Sequence, residues 1–188
     1  MEFQHINVKL FVDGGLQTDL ELIIEAFHEW TARQSFDELL IDVADYRHVP
    51  DGPGVVLVGH EADYGMDHAG GRWGLLYNRK APTSGSNQDR IVQALSAAAN
   101  ACRLLEGTFR DLRFGRREFL VSVNDRALAP NVSETYDAFE PDVRAALTGA
   151  CSDVEFEFER EADPRRRLQL LVRAAQPFDL DSLLSAQN

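Results

Sequence analysis

Asp42 and His60, with Tyr46, Tyr64, Trp73 and Tyr77 near them, are the residues whose types and spacing best suit chemistry. They lie in the stretch 41–80, IDVADYRHVPDGPGVVLVGHEADYGMDHAGGRWGLLYNRK, which holds seven of the 13 glycines and three of the five histidines. A hairpin turning about Asp51 is expected to set Asp42 opposite His60, Ala44 opposite Val58 and Tyr46 opposite Val56. A carboxylate beside an imidazole fixes one tautomer and raises its basicity, as a general base or the support of a metal ligand requires. The plainer reading of the same pair is a half-buried hydrogen bond between strands.

A second turn at Gly70-Gly71 is expected to place Tyr64 opposite Tyr77, Met66 opposite Leu75 and His68 opposite Trp73. All of these would share one face, with Glu61 opposite Lys80 and Asp63 opposite Asn78 on the other, solvent-facing side. Gly59, Gly65 and Gly74 fall inside strand patterns, where glycine marks a bulge or the close approach of a ligand or another backbone. Tyr46, Tyr64, Trp73 and Tyr77 would then wall a shallow ligand-binding cleft. The glycines at 52, 54, 70 and 71 read as ordinary turn chemistry.

His48, His60, Glu61, Asp63, Asp67 and His68 are metal-ligand types crowded in sequence, but their spacing argues against one shared ion. His60 and His68 would stand ~26 Å apart on a straight strand. The stretch is not HExxH, whose histidines lie one helical turn apart. No metal ligand is assigned and no cofactor is expected; a transition metal would require Gly65 to fold His68 back. There is no nucleophile elbow, phosphate loop or dinucleotide fingerprint.

The elements that must position these residues follow from periodicity. Residues 4–12 alternate as a strand, and a helix follows behind a Thr18-x-x-Glu21 capping box, with Leu20, Ile23, Ile24, Phe27 and Trp30 on one face. Strand patterns cover 38–47, 54–64 and 72–80. A long helix begins near Ser86 with the stripe Ile91, Leu95, Ala98, Cys102 and Leu105. After a strand in 117–125 comes a helix expected to restart at Pro141, then a hairpin, then a short amphipathic segment over 178–185. Hairpin-linked strands imply an α+β fold, mainly an antiparallel sheet with helices on one face; the alternative is a ferredoxin-like order with extra strands. One domain is expected over 1–188, with tandem β-α-β-β halves at 4–64 and 117–175 joined by the long helix.

A formal charge of -12 argues against a nucleic-acid or anionic-membrane partner, since phosphates would be repelled by most of the surface. The basic runs at 110–117 and 165–167 read as solvated turns. No apolar run reaches bilayer length and the N-terminus lacks a signal-peptide pattern, so a cytoplasmic location is expected. Cys102 and Cys151 lack metal or redox spacing and read as reduced thiols. The function expected is non-catalytic: a small-molecule-binding protein or a homo-oligomeric assembly protein. The alternative is a hydrolase- or lyase-like enzyme using Asp42 and His60, with metal assistance.

Overall fold

A computed structural model describes residues 1–185, and its eight strands form one sheet in which every neighbouring pair is antiparallel. The strands are β1 (Ile6–Val12), β2 (Leu40–Tyr46), β3 (Gly54–Gly59), β4 (Ala62–Asp67), β5 (Gly74–Arg79), β6 (Phe114–Val123), β7 (Phe156–Arg160) and β8 (Gln169–Ala174). Their spatial order is β2-β3-β4-β5-β1-β6-β8-β7. The helices are α1 (Leu20–Arg33), α2 (Asn87–Thr108), α3 (Ser133–Ala150) and α4 (Leu180–Ser185). The fold is α+β. The expected halves meet in mid-sheet, where β1 pairs with β6. None of the helices of the described residues is long and apolar enough to cross a membrane.

Alternation decides which face each strand gives to the helices. Ile6, Val8 and Leu10 of β1 enter the core together with Leu57, Tyr64, Met66, Leu75 and Tyr77 of the neighbouring strands. Across them lie Ile23, Phe27 and Trp30 of α1, and Ile91, Leu95, Ala98, Cys102 and Leu105 of α2. Those helix stripes match the expected periodicity. α2 begins with a full capping box, in which Ser86 accepts from the Asp89 N–H and Asp89 accepts from the Ser86 N–H.

Two helix expectations need correction. The N-cap of α1 is Asp19, whose side chain accepts from the Glu21 N–H at 3.0 Å, while Thr18 Oγ1 is buried without a partner. α3 also runs through Pro141 without restarting. Phe139, Val143 and Leu147 are buried on both sides of the proline, and Phe139 packs edge-on against Phe3 at 4.8 Å. Pro141 is exposed. The packed face therefore holds the helix continuous although one backbone hydrogen bond is lost.

The run 54–64, expected as a single strand, is two. It breaks at His60 and Glu61, and Val58 of β3 faces Asp63 of β4. Glu38 fixes that turn: its Oε2 accepts from the N–H groups of Glu61 at 3.0 Å and Ala62 at 2.8 Å. The result is a four-strand meander from β2 to β5, which replaces the two strands a ferredoxin-like unit would place there. A Cβ added at Gly59 would lie 2.4 Å from the Ala62 carbonyl oxygen and 2.6 Å from Glu38 Oε2, so glycine is required by close approach. At Gly65 the nearest atom would be 3.7 Å away.

That contrast gives a matched test. Gly59→Ala is expected to lower stability by ~1–3 kcal/mol, because the new methyl meets backbone that cannot move aside. Gly65→Ala is expected to change it by less than about 1 kcal/mol. Urea midpoints at unchanged m-value measure both; equal losses would contradict the assignment.

Candidate functional site

The sheet face that carries no helix is not a plain solvated surface. Cross-strand neighbours Asp63 of β4, Asn78 of β5, Asn7 of β1, Ser122 of β6 and Gln169 of β8 form one polar row across five strands. The row beside it reads Gly65, Leu76, Lys9, Leu120 and Leu171. Together with Tyr46, the loop residues Asp51 to Pro53, and Arg167 at the rim, these strands line a cleft of about 590 Å³.

Lys9 and Asp67 form an ion pair at the cleft floor, with Nζ 2.5 Å from Oδ2 and side chains only 4% and 5% exposed. The ammonium also donates to the Ala69 carbonyl at 2.9 Å. Gly74 makes room for the lysine stem, since a Cβ there would lie 3.0 Å from Lys9 Cε and 2.6 Å from the Leu10 carbonyl oxygen. Removing charges from water costs several kcal/mol per ion, on the order of what good geometry returns. The pair is therefore weak as a source of stability and more telling as a fixed polar feature.

The Asp63 and Asn78 end of the polar row is linked by side-chain contacts. Asn124 Nδ2 donates to Asn78 Oδ1 at 3.0 Å, Asn78 Nδ2 points to Asp63 Oδ2 at 3.4 Å, and Lys80 Nζ lies 2.6 Å from Asp63 Oδ1. Asn7 stands next in the row. Its Oδ1 is buried with neither a hydrogen bond nor an ionic partner.

The residues expected from the sequence divide between the two faces. The second hairpin has the expected register, with Tyr64 opposite Tyr77, Met66 opposite Leu75 and Asp63 opposite Asn78. The first is displaced by two residues: Asp42 faces Val58, Ala44 faces Val56 and Tyr46 faces Gly54. Asp42 is exposed and accepts from the Val43 N–H at 2.8 Å, while His60 is exposed in the turn after β3. Their side chains are not brought together. Tyr46 lines the cleft.

Tyr64 and Tyr77 point instead into the helix side, and Trp73 packs against the core with its ring 4.5 Å from His68. The expected single face is thus corrected: the added turn at 60–61 reverses the side on which each residue of β4 emerges relative to a continuous strand. Tyr64 donates to Glu38 Oε1 at 2.8 Å and stacks on Phe36 at 4.7 Å. Tyr77 shares a hydrogen bond with Gln93, and Arg79 lies beside it. Tyr64 borders a second cleft, of about 530 Å³, with Glu38, Glu61, Arg79 and Gln93. Burial pushes the Tyr64 phenol well above its usual range, and the Glu38 carboxylate pushes it further. Burial likewise raises Tyr77, against the opposing pull of Gln93 and Arg79.

Lys9, Asp67, Asn7, Ser122, Asn124 and Gln169 were not expected in a site. Asn7 and Lys9 alternate with Ile6, Val8 and Leu10, a pattern that reads as an ordinary wet face. Only the placement of β1 in mid-sheet buries them. Among the described residues, no group of three or more His, Cys, Asp or Glu is placed to hold a metal ion. No family model, curated protein or solved structure matches this chain.

The buried phenols set an alkaline limit. Their folded pKa values are raised, so the stability they contribute is complete below the unfolded value of about 10 and is lost as pH rises beyond it. Absorbance at 295 nm is expected to lack the Tyr64 and Tyr77 phenolates until the fold gives way, and urea midpoints are expected to fall above about pH 10. Glu38→Gln should let Tyr64 ionise at lower pH. Full phenolate absorbance with an intact fold near pH 10 would contradict this account.

Proposed function

We propose that this protein binds a small polar molecule, without covalent chemistry, in the cleft on the helix-free face of the sheet. The observation that carries the reading is the buried Lys9–Asp67 pair beside the row Asp63, Asn78, Asn7, Ser122 and Gln169. An antiparallel sheet with one open face needs only solvated polar side chains there. This one holds charge and amide groups away from water in a concavity. Its volume lies within the ~300–1,000 Å³ of small-molecule sites, and it combines apolar walls with a few convergent polar groups.

Binding is favoured over catalysis by what the polar groups are doing. Lys9 is engaged by a carboxylate and a carbonyl, so its Nζ is not turned to a bound molecule as a nucleophile would be. His48, His60 and His68 do not line the cleft, so no imidazole base stands over a bound molecule. Tyr46 at the rim supplies an aromatic edge against which a ligand can pack.

Ligand-observed NMR with a fragment library tests the reading. Some fragments should bind the wild type, and Gly65→Leu should abolish their binding, because the new side chain fills the floor while leaving the core face intact. Tyr46→Ala is expected to weaken the same fragments a few-fold, by roughly 0.5–1 kcal/mol. Hits indifferent to Gly65→Leu would remove the cleft as the site.

A further inference from the structure

We infer that the cleft selects an uncharged or cationic ligand bearing an N–H or O–H donor on a flat apolar body, and that it rejects carboxylates and phosphates. The inference rests on the cleft reading above and adds the chemical class of the ligand.

The charges lining the cleft point this way. Three carboxylates, Asp51, Asp63 and Asp67, accompany two cations, Lys9 and Arg167. Lys9 is spent on Asp67 and the Ala69 carbonyl, which leaves Arg167, exposed at the rim and away from the floor, as the lining cation open to an anion. Lys80, beyond the lining, is spent on Asp63 and on the Gly59 carbonyl at 2.6 Å. An anion reaching the floor would therefore displace an existing partner or sit against carboxylates. A neutral or positive head meets neither obstacle.

The unpaired acceptor supplies the second argument. Asn7 is 2% exposed, lines the cleft, and has an Oδ1 without a partner. A buried acceptor without a donor is costly and uncommon. A donor delivered by the ligand, directly after a shift of the flanking Asn78 or Ser122 side chain or through one water, completes the row.

The third argument is shape. Gly65 lies beside Leu76, and a Cβ there would meet the Pro53 and Val55 carbonyl oxygens at 3.7 Å and Val56 Cγ2 at 3.8 Å, so the glycine leaves a shallow recess bounded by those atoms. Adjacent strands are ~4.8 Å apart, so Gly65 and Leu76 make a platform about one ring wide, extended towards Leu120. From Leu76 to the polar row is two residues along the strand, ~7 Å, the reach of a ring with a one- or two-atom head.

Benzyl alcohol, benzylamine and benzoate share the ring and differ in the head, so titrating each into isotope-labelled protein separates the cases by NMR. Benzyl alcohol and benzylamine should shift the Gly65, Leu76, Leu120 and Asn7 signals, with benzoate at least roughly tenfold weaker. Asn7→Ala should weaken the two donors by roughly tenfold. Benzoate binding as tightly as benzylamine, or donors indifferent to Asn7→Ala, would overturn the ligand class and leave the cleft standing. No shift at the cleft from any of the three would overturn both readings. The wild-type comparison needs no variant to fold.

Discussion

The face on which every residue from 62 to 79 emerges depends on one carboxylate. Glu38 Oε2 accepts from the Glu61 and Ala62 N–H groups, while its Oε1 accepts from the Tyr64 hydroxyl, so a single side chain holds both a turn and the first buried tyrosine beyond it. With that turn in place, Asp63, Gly65 and Asp67 face outward and Tyr64 and Met66 face the helices. Strand alternation has period two, so a slip of one residue would exchange these sets entirely. Gly59 belongs to the same constraint, because the carboxylate and the Ala62 carbonyl occupy the space a side chain would take.

Once β4 and β5 are set in this way, the outward residues meet those of β1 and β6 in ordered rows. The fully buried apolar core of the sheet goes to the helix side, where α1 and α2 cover it, and the open side holds Lys9, Asp67 and the amides beside Leu76 and Leu120. The two faces of β1 are both buried for different reasons: Val8 and Leu10 by helices, Asn7 and Lys9 by the neighbouring strands and the Asp51 to Ala69 margin. Polar groups confined in this way cost free energy that the core must offset. Stability alone would be served as well by apolar residues on that face.

Much of the fold was legible in the sequence. The α2 stripe from Ile91 to Leu105 and the pairing of Tyr64 with Tyr77 follow from periodicity and from the Gly70-Gly71 turn. The turn at His60 and Glu61 was not, because its stabilising partner Glu38 is distant in sequence and the run around it alternates as an unbroken strand would. The Asp42 register was missed for a related reason: the loop between β2 and β3 spans Arg47 to Pro53, and the pairing shifts between Leu40 and Asp42. The cleft was legible only in part. Tyr46 was expected there, but Lys9 and Asp67 are 58 residues apart and neither carries a local signal of its partner.

The most direct measurement is a set of crystal structures soaked in isopropanol, acetamide and urea, which locates the surface where small organic molecules displace water. The account predicts that acetamide and isopropanol cluster over Gly65 and Leu76, with the amide directed towards Asn7. Probes gathered beside Tyr64 and Arg79 on the helix side, with only water over Gly65, would contradict it.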